Sequence, residues 1–215
     1  MTQEVKIITG IGLATLILVI ATVFFLGNAP QTPTNEPVDL QLLTKNAIHQ
    51  TGPSDAKVIV TEFADFQCPA CANTAPVLKQ LQNEYQGRVN FIYRHFPLPQ
   101  HKYARISIVA SEAAAAQGKF WEMSEILYAK QTEWSQKEDP KNTFISYAQT
   151  LGLNVQQFEQ ALNQNAYNQI IQTDLNDAKS LGINSTPTIY INNQKLTLPP
   201  NYQNLKTMID QKLNN

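Results

Sequence analysis

The chain of 215 residues contains two cysteines, Cys68 and Cys71, and they lie in one short stretch, FADFQCPACANTAP, residues 63–76. Two thiols spaced C-P-A-C can share a metal, close a small loop, or exchange electrons. A structural zinc needs four ligands, so two would have to come from His49, His95 and His101. Five residues separate His95 from His101, and Pro97 and Pro99 are among them, which suits a loop better than a ligand pair. No metal is therefore expected. A bond closing so short a loop removes little chain entropy, which makes a purely structural staple a poor use of the pair.

Electron exchange uses the neighbouring residues as well. Cys68 precedes a helical pattern, where free N–H groups and the helix dipole favour an anion and thereby the reactive thiolate. Pro69 suits the first helical turn because it has no N–H to leave unpaired. Cys71, one turn on, is placed to attack a mixed disulfide formed at Cys68. Cys68 is thus expected to be the exposed nucleophile, Cys71 the resolving thiol, and Pro69-Ala70 the dipeptide that spaces them.

The elements around this pair form a pattern. KVIVTEFADF (57–66) reads as a central strand buried on both faces. A helix follows the cysteines and ends at Gly87, and RVNFIYRHF (88–96) is a second strand. A strand–helix–strand unit of this length makes the two strands parallel. The next 80 or so residues are helical, with apolar stripes such as Phe120, Met123 and Leu127, then Phe144, Tyr147 and Ala148, then Val155, Phe158 and Leu162. PTIYI and QKLTL flank Asn192-Asn193 as a hairpin, and NYQNLKTMIDQKL makes a last helix. The fold class is α/β with a mixed sheet, ordered βαβ, helices, ββα.

Ahead of this domain, residues 7–26 carry no charge and could cross a bilayer as a helix. The run is longer than a signal peptide's apolar region, and Pro30 would follow the nearest small-x-small site, so an uncleaved anchor (1–27) is favoured. A proline-containing linker (28–39) follows. Lys6 before the span, with Glu36 and Asp39 the first charges after it, places the main domain outside the cell membrane, where disulfides persist. The formal net charge of −1 offers no basic surface for nucleic acid.

F-x-C-P-x-C after a buried strand, T-P-T before a late strand, and a helical block between the halves resemble the DsbA-like branch of the thioredoxin superfamily. The segments YRHFPLPQHKYA and GKFWEM are similar to ones in its membrane-anchored bacterial members. The likeness covers about residues 50–215. It implies a thioredoxin fold in two parts, 40–99 and 183–215, with a helical insertion at 100–182. It implies that Thr186-Pro187 is a cis-proline loop that lies against the disulfide and binds substrate peptide. It also implies that Glu62 is the buried acid that exchanges a proton with Cys71, with Asp65 the lesser candidate, and that Pro76 is an architectural bend in the helix.

The activity so implied is thiol–disulfide exchange at Cys68–Cys71 without an organic cofactor. The partners are reduced or misoxidised secreted proteins and a membrane redox protein that recycles the cysteines. Donation of a disulfide is the leading direction. The same chemistry run backwards, as a reductase or isomerase fed by a membrane electron donor, stays open, as does a non-enzymatic peptide holder or metal carrier. Pro-Ala departs from the Pro-His of strongly oxidising DsbA proteins, so less stabilisation of the Cys68 thiolate is expected.

Overall fold

A computed structural model describes residues 15–22, 24, 37–164 and 166–215. It divides into two units, Met1–Glu36 and Pro37–Asn215. In the first, residues 15–22 and 24 are helical and exposed, and the Thr22 hydroxyl donates to the Leu18 and Val19 carbonyls. The remainder of the expected 7–26 span, and the linker up to Glu36, lie outside the described residues. Among the described residues, no helix is long and apolar enough to cross a membrane.

In the second unit the apolar run after Lys57 becomes β2 (Val58–Ala64), preceded by α1 (Leu40–Thr44) and the short β1 (His49–Thr51). The helix α2 (Pro69–Glu84) leads to β3 (Val89–His95), which runs parallel to β2 with Glu62 beside Tyr93. Every residue of β3 and all but Ile59 of β2 are buried, as strands covered on both faces must be. Six helices follow: α3 (Ala104–Ala115), α4 (Phe120–Ala129), α5 (Gln131–Ser135), α6 (Lys141–Thr150), α7 (Val155–Asn163) and α8 (Asn168–Ser180). The hairpin β4 (Thr188–Ile191) and β5 (Gln194–Lys195) and the helix α9 (Tyr202–Asn214) complete the unit. The sheet order is β1-β3-β2-β4-β5, antiparallel except for β2 and β3.

Three differences from the sequence expectations have physical causes. The strand expected over QKLTL stops at Lys195, although the Leu196 amide still donates to the Ile189 carbonyl. Pro199 and Pro200, which follow, cannot donate to a ladder. The helix expected over KFWEMSEILYAKQ breaks at Lys130 and restarts as α5. The strand β1 is too short to show periodicity and is held by pairing with β3.

Alternation along the strands divides the packing between the two faces of the sheet. Val58, Val60 and Phe91 point to a cluster with Leu78 and Leu81 of α2 and Leu205 and Ile209 of α9. Farther along the same face, Ala64 and Tyr93 join a larger cluster built from α3 to α8, with Trp134, Phe144 and Phe158 buried in it. Phe63 on the opposite face packs with Leu43 of α1 and Ala178 of α8.

Arg94 also points to that opposite face and is fully buried. Its Nε donates to Asp174 and its Nη2 to Asp177, both at 2.6 Å, while Nη1 reaches the Leu43 and Lys45 carbonyls at 3.1 Å. Asp174 also accepts from the His95 amide at 2.7 Å. A buried guanidinium is tolerable only with its fork satisfied in this way.

Candidate active site at the Cys68–Cys71 turn

The sheet delivers the chain to the helix at its buried end. Cys68 is the N-cap of α2, in extended conformation, and Pro69 is the first helical residue. The Cys68 side chain makes no cap hydrogen bond, and the amides of the first helical turn, Ala70 and Cys71, favour its thiolate. Pro69 and Ala70 are exposed, and Cys71 is wholly buried beneath them. Cys68 was expected to be exposed, but it retains 6% of its surface. The covering segment is the Thr186–Pro187 loop, whose peptide bond is cis. The Cys68 sulfur lies 3.5 Å from the Thr186 carbonyl oxygen, across 118 residues of sequence.

The two thiols differ sharply in acidity. A hydrogen bond from Cys71 is the largest cause that lowers the Cys68 pKa to about 5. The Thr186 side chain and the Cys71 and Ala70 amides add to it, against the opposing effect of burial. Cys71 is pushed well above the usual thiol range, first by burial, then by its bond to Cys68 and by the charge of Glu62. At neutral pH Cys68 is therefore a thiolate and Cys71 a thiol. The stabilisation that Pro-Ala was expected to lack comes from the second cysteine and the facing loop.

Glu62 lies inside β2, 6% exposed, with its Oε1 unpartnered. Burial, with the Cys68 charge second, pushes its carboxyl up to about 8. It is thus a neutral acid at pH 7, and it is near enough to Cys71 for its charged form to raise that thiol further. Asp65, the lesser candidate, is engaged differently. Its carboxylate accepts from the Gln67 amide at 2.7 Å and the Leu98 amide at 2.8 Å, and it pairs with His101 at 2.7 Å. Those bonds shape the loop that enters Cys68. Pro76 lies inside α2, as expected for an architectural bend.

Two contributors carry no signal in the sequence reading. Gln131, from the start of α5, donates from one Nε2 to the Phe66 carbonyl at 2.7 Å and the Cys68 carbonyl at 2.9 Å. Gln67 accepts from the Tyr103 amide at 2.6 Å. Both tie the cysteine turn to the helical segment. The histidines do not converge on the cysteines. His49 and His95 meet at Glu112 Oε1, His95 at 2.7 Å, and all three are buried. Their ligand-type atoms lie within 4.8 Å of one another, which makes them a group, among the described residues, that could hold a metal ion. Burial would raise the Glu112 carboxyl, but the bonds from His49 and then His95 hold it down at about 2.

Comparison with known proteins places this geometry. A thioredoxin family model matches residues 44–211. A Na(+)/H(+) antiporter NhaA 3 of Salinispora tropica is 34% identical over 162 residues, which is 75% of this chain and 24% of that protein. The chain spans about a quarter of the length of the curated relatives it matches. Oxidised BdbD from Bacillus subtilis superposes with a TM-score of 0.72 at 23% identity, covering 84% of this chain and 97% of its own. MdbA, a thiol-disulfide oxidoreductase from Corynebacterium diphtheriae, does so at 0.64 and 18%, covering 87% and 98%. The fold is that of DsbA-like thiol–disulfide oxidoreductases.

Proposed function

The chain belongs to the thioredoxin family, and from that premise we propose that it is a thiol–disulfide oxidoreductase that donates the Cys68–Cys71 disulfide to reduced proteins. The observation that carries this reading is the contrast between an acidic Cys68, at about 5, and a buried Cys71 pushed far the other way.

The reaction balances as two exchanges. A substrate thiolate attacks the Cys68 sulfur, the Cys68–Cys71 bond breaks, and Cys71 departs with the electron pair. Cys71 is a poor anion in its buried setting, and the neutral Glu62 carboxyl supplies its proton. A second substrate thiolate then attacks the substrate sulfur of the mixed disulfide, and Cys68 leaves as a stabilised thiolate. The substrate is oxidised by two electrons and the enzyme is left as the dithiol. Thr186 and Pro187, against the Cys68 sulfur, are proposed to hold the substrate backbone during both steps. A leaving thiol of low pKa departs faster, which favours donation over reduction.

The apolar run 7–26 supports a membrane tether, with the catalytic unit outside the cell membrane. There, secreted proteins are the substrates and a membrane redox partner restores the disulfide. The cysteines carry the electrons, so no organic cofactor is required.

The test is the reduction potential of residues 37–215, equilibrated against glutathione. A value near the roughly −120 to −180 mV of known oxidants is expected. One near about −270 mV would make the protein a reductase. Cys68→Ser should abolish dithiol oxidation, and activity that survives it would remove the enzyme assignment altogether.

A further inference from the structure

A cavity of about 370 Å³ lies between the sheet, α2 and α4 and reaches Glu62. Its volume is at the small end of the roughly 300–1,000 Å³ typical of ligand sites. Most of its wall is apolar or aromatic: Val60, Phe91, Tyr93, Trp121 and Tyr128 among others. Tyr93 and Tyr128 spend their hydroxyls on each other at 2.9 Å, so they present ring surface. Lys79 and Glu125 line the exposed side and form an ion pair at 2.6 Å that links α2 to α4.

Two polar features interrupt the apolar wall. Glu62 lines the cavity, more than nine-tenths buried, and its Oε1 has no partner. An unpaired buried polar atom costs free energy until something bonds to it. Pro76, also in the wall, has no N–H, so the carbonyl of Ala72 lacks its partner one helical turn on. Both features can accept a hydrogen bond. A buried acid in an apolar pocket would be costly if the pocket served only to pack α4 against the sheet.

We propose that this cavity binds a small neutral aromatic molecule that bears one hydroxyl, a phenol-type ring, with the hydroxyl on Glu62 and the ring among Phe91, Tyr93 and Trp121. A charged ligand would meet an apolar wall, and a hydrocarbon would leave the Glu62 oxygen unpaired. A ring with one donor matches both. The acid therefore has two faces, one toward Cys71 and one toward an occupant. The binding does not depend on the oxidoreductase reading, because it can be measured without turnover.

The experiment is a ¹⁹F NMR titration of the full chain with 4-fluorophenol and, separately, with 4-fluorotoluene. Saturable binding of the phenol tighter than about 1 mM is expected, with a preference over the toluene of roughly tenfold for one hydrogen bond to an otherwise unpaired group. Glu62→Leu should abolish that preference. Ala75→Phe, which fills the cavity, should abolish binding. Gln82→Trp, at the half-buried rim, is a second block that leaves the core untouched. Absence of saturation, equal affinity for the two probes, or binding that survives both blocking substitutions would overturn the proposal.

Discussion

At the scale of single residues, the site works by keeping each ionisable group away from its ordinary value. Glu62 shows this most directly. Its ordinary pKa of 4.5 becomes about 8 in the folded chain, chiefly through burial. The folded state therefore keeps a proton that the unfolded chain releases between those two values. The stability this represents is fully present below about 4.5 and is lost as pH rises through about 8. The expected slope inside that window is at most about 1.4 kcal/mol per pH unit from this group. Glu62→Gln cannot titrate, so its urea-unfolding stability should lose this component between pH 5 and 8. An identical slope in the variant would show that Glu62 is charged in the folded protein. The same substitution should slow disulfide transfer, since Cys71 would leave without its proton donor.

Legibility also divides at this scale. C-P-A-C, its helix and its strand could be read because the partners are sequence neighbours and obey local capping rules. Thr186–Pro187 could be placed only through a family resemblance, since it meets Cys68 across 118 residues. Gln131 carries no local signal. A glutamine at the start of a five-residue helix looks like a solvated residue until the fold brings it to the Cys68 carbonyl 63 residues away.

At the scale of elements, Gln131 explains how the helical segment controls the active-site turn. One amide group bridges the carbonyls on either side of Gln67, fixing the bend by which β2 becomes α2. Gln131→Ala would take a donor from the Phe66 carbonyl and leave the Cys68 carbonyl with the Ala72 amide, and should cost about 1–3 kcal/mol in stability. Loosening the turn also weakens the amide bonds from Ala70 and Cys71 to the sulfur, so the Cys68 pKa should rise from about 5. Titration of thiolate absorbance checks this. A variant that loses stability but keeps the Cys68 titration would reduce Gln131 to a structural role.

Arg94 teaches the complementary lesson about elements. An arginine in an apolar strand reads as an edge or a strand end, yet β3 is interior and Arg94 is wholly buried. The available signal was on α8. Asp174 and Asp177 lie three apart on the same side as Ile171 and Ala178, so the face that meets the sheet carries two acids. A buried acid pair in one element demands a buried cation in another.

At the scale of the whole molecule, the folded unit and the apolar run at its N-terminus are separate physical problems. Pro37–Asn215 contains the sheet, its cores and every group of the site, and the family match at 44–211 falls within it. It should fold and exchange disulfides without residues 1–36. The full chain, in contrast, should sediment with membranes and resist alkaline extraction, because its uncharged run 7–26 has the length needed to cross the roughly 30 Å hydrocarbon layer. The cysteines themselves report the side. After mild reduction, Cys68 is the reactive thiol, as the acidic sulfur that keeps a little exposed surface, while the wholly buried Cys71 stays protonated. A membrane-impermeant maleimide added to intact cells should therefore label the full chain once, at Cys68, and should fail on Cys68→Ser. Labelling that requires lysis would place the catalytic unit in the cytoplasm, where glutathione and thioredoxin keep thiols reduced. A disulfide donor has no use for that compartment, so such a result would overturn both the orientation and the direction of electron flow proposed for this site.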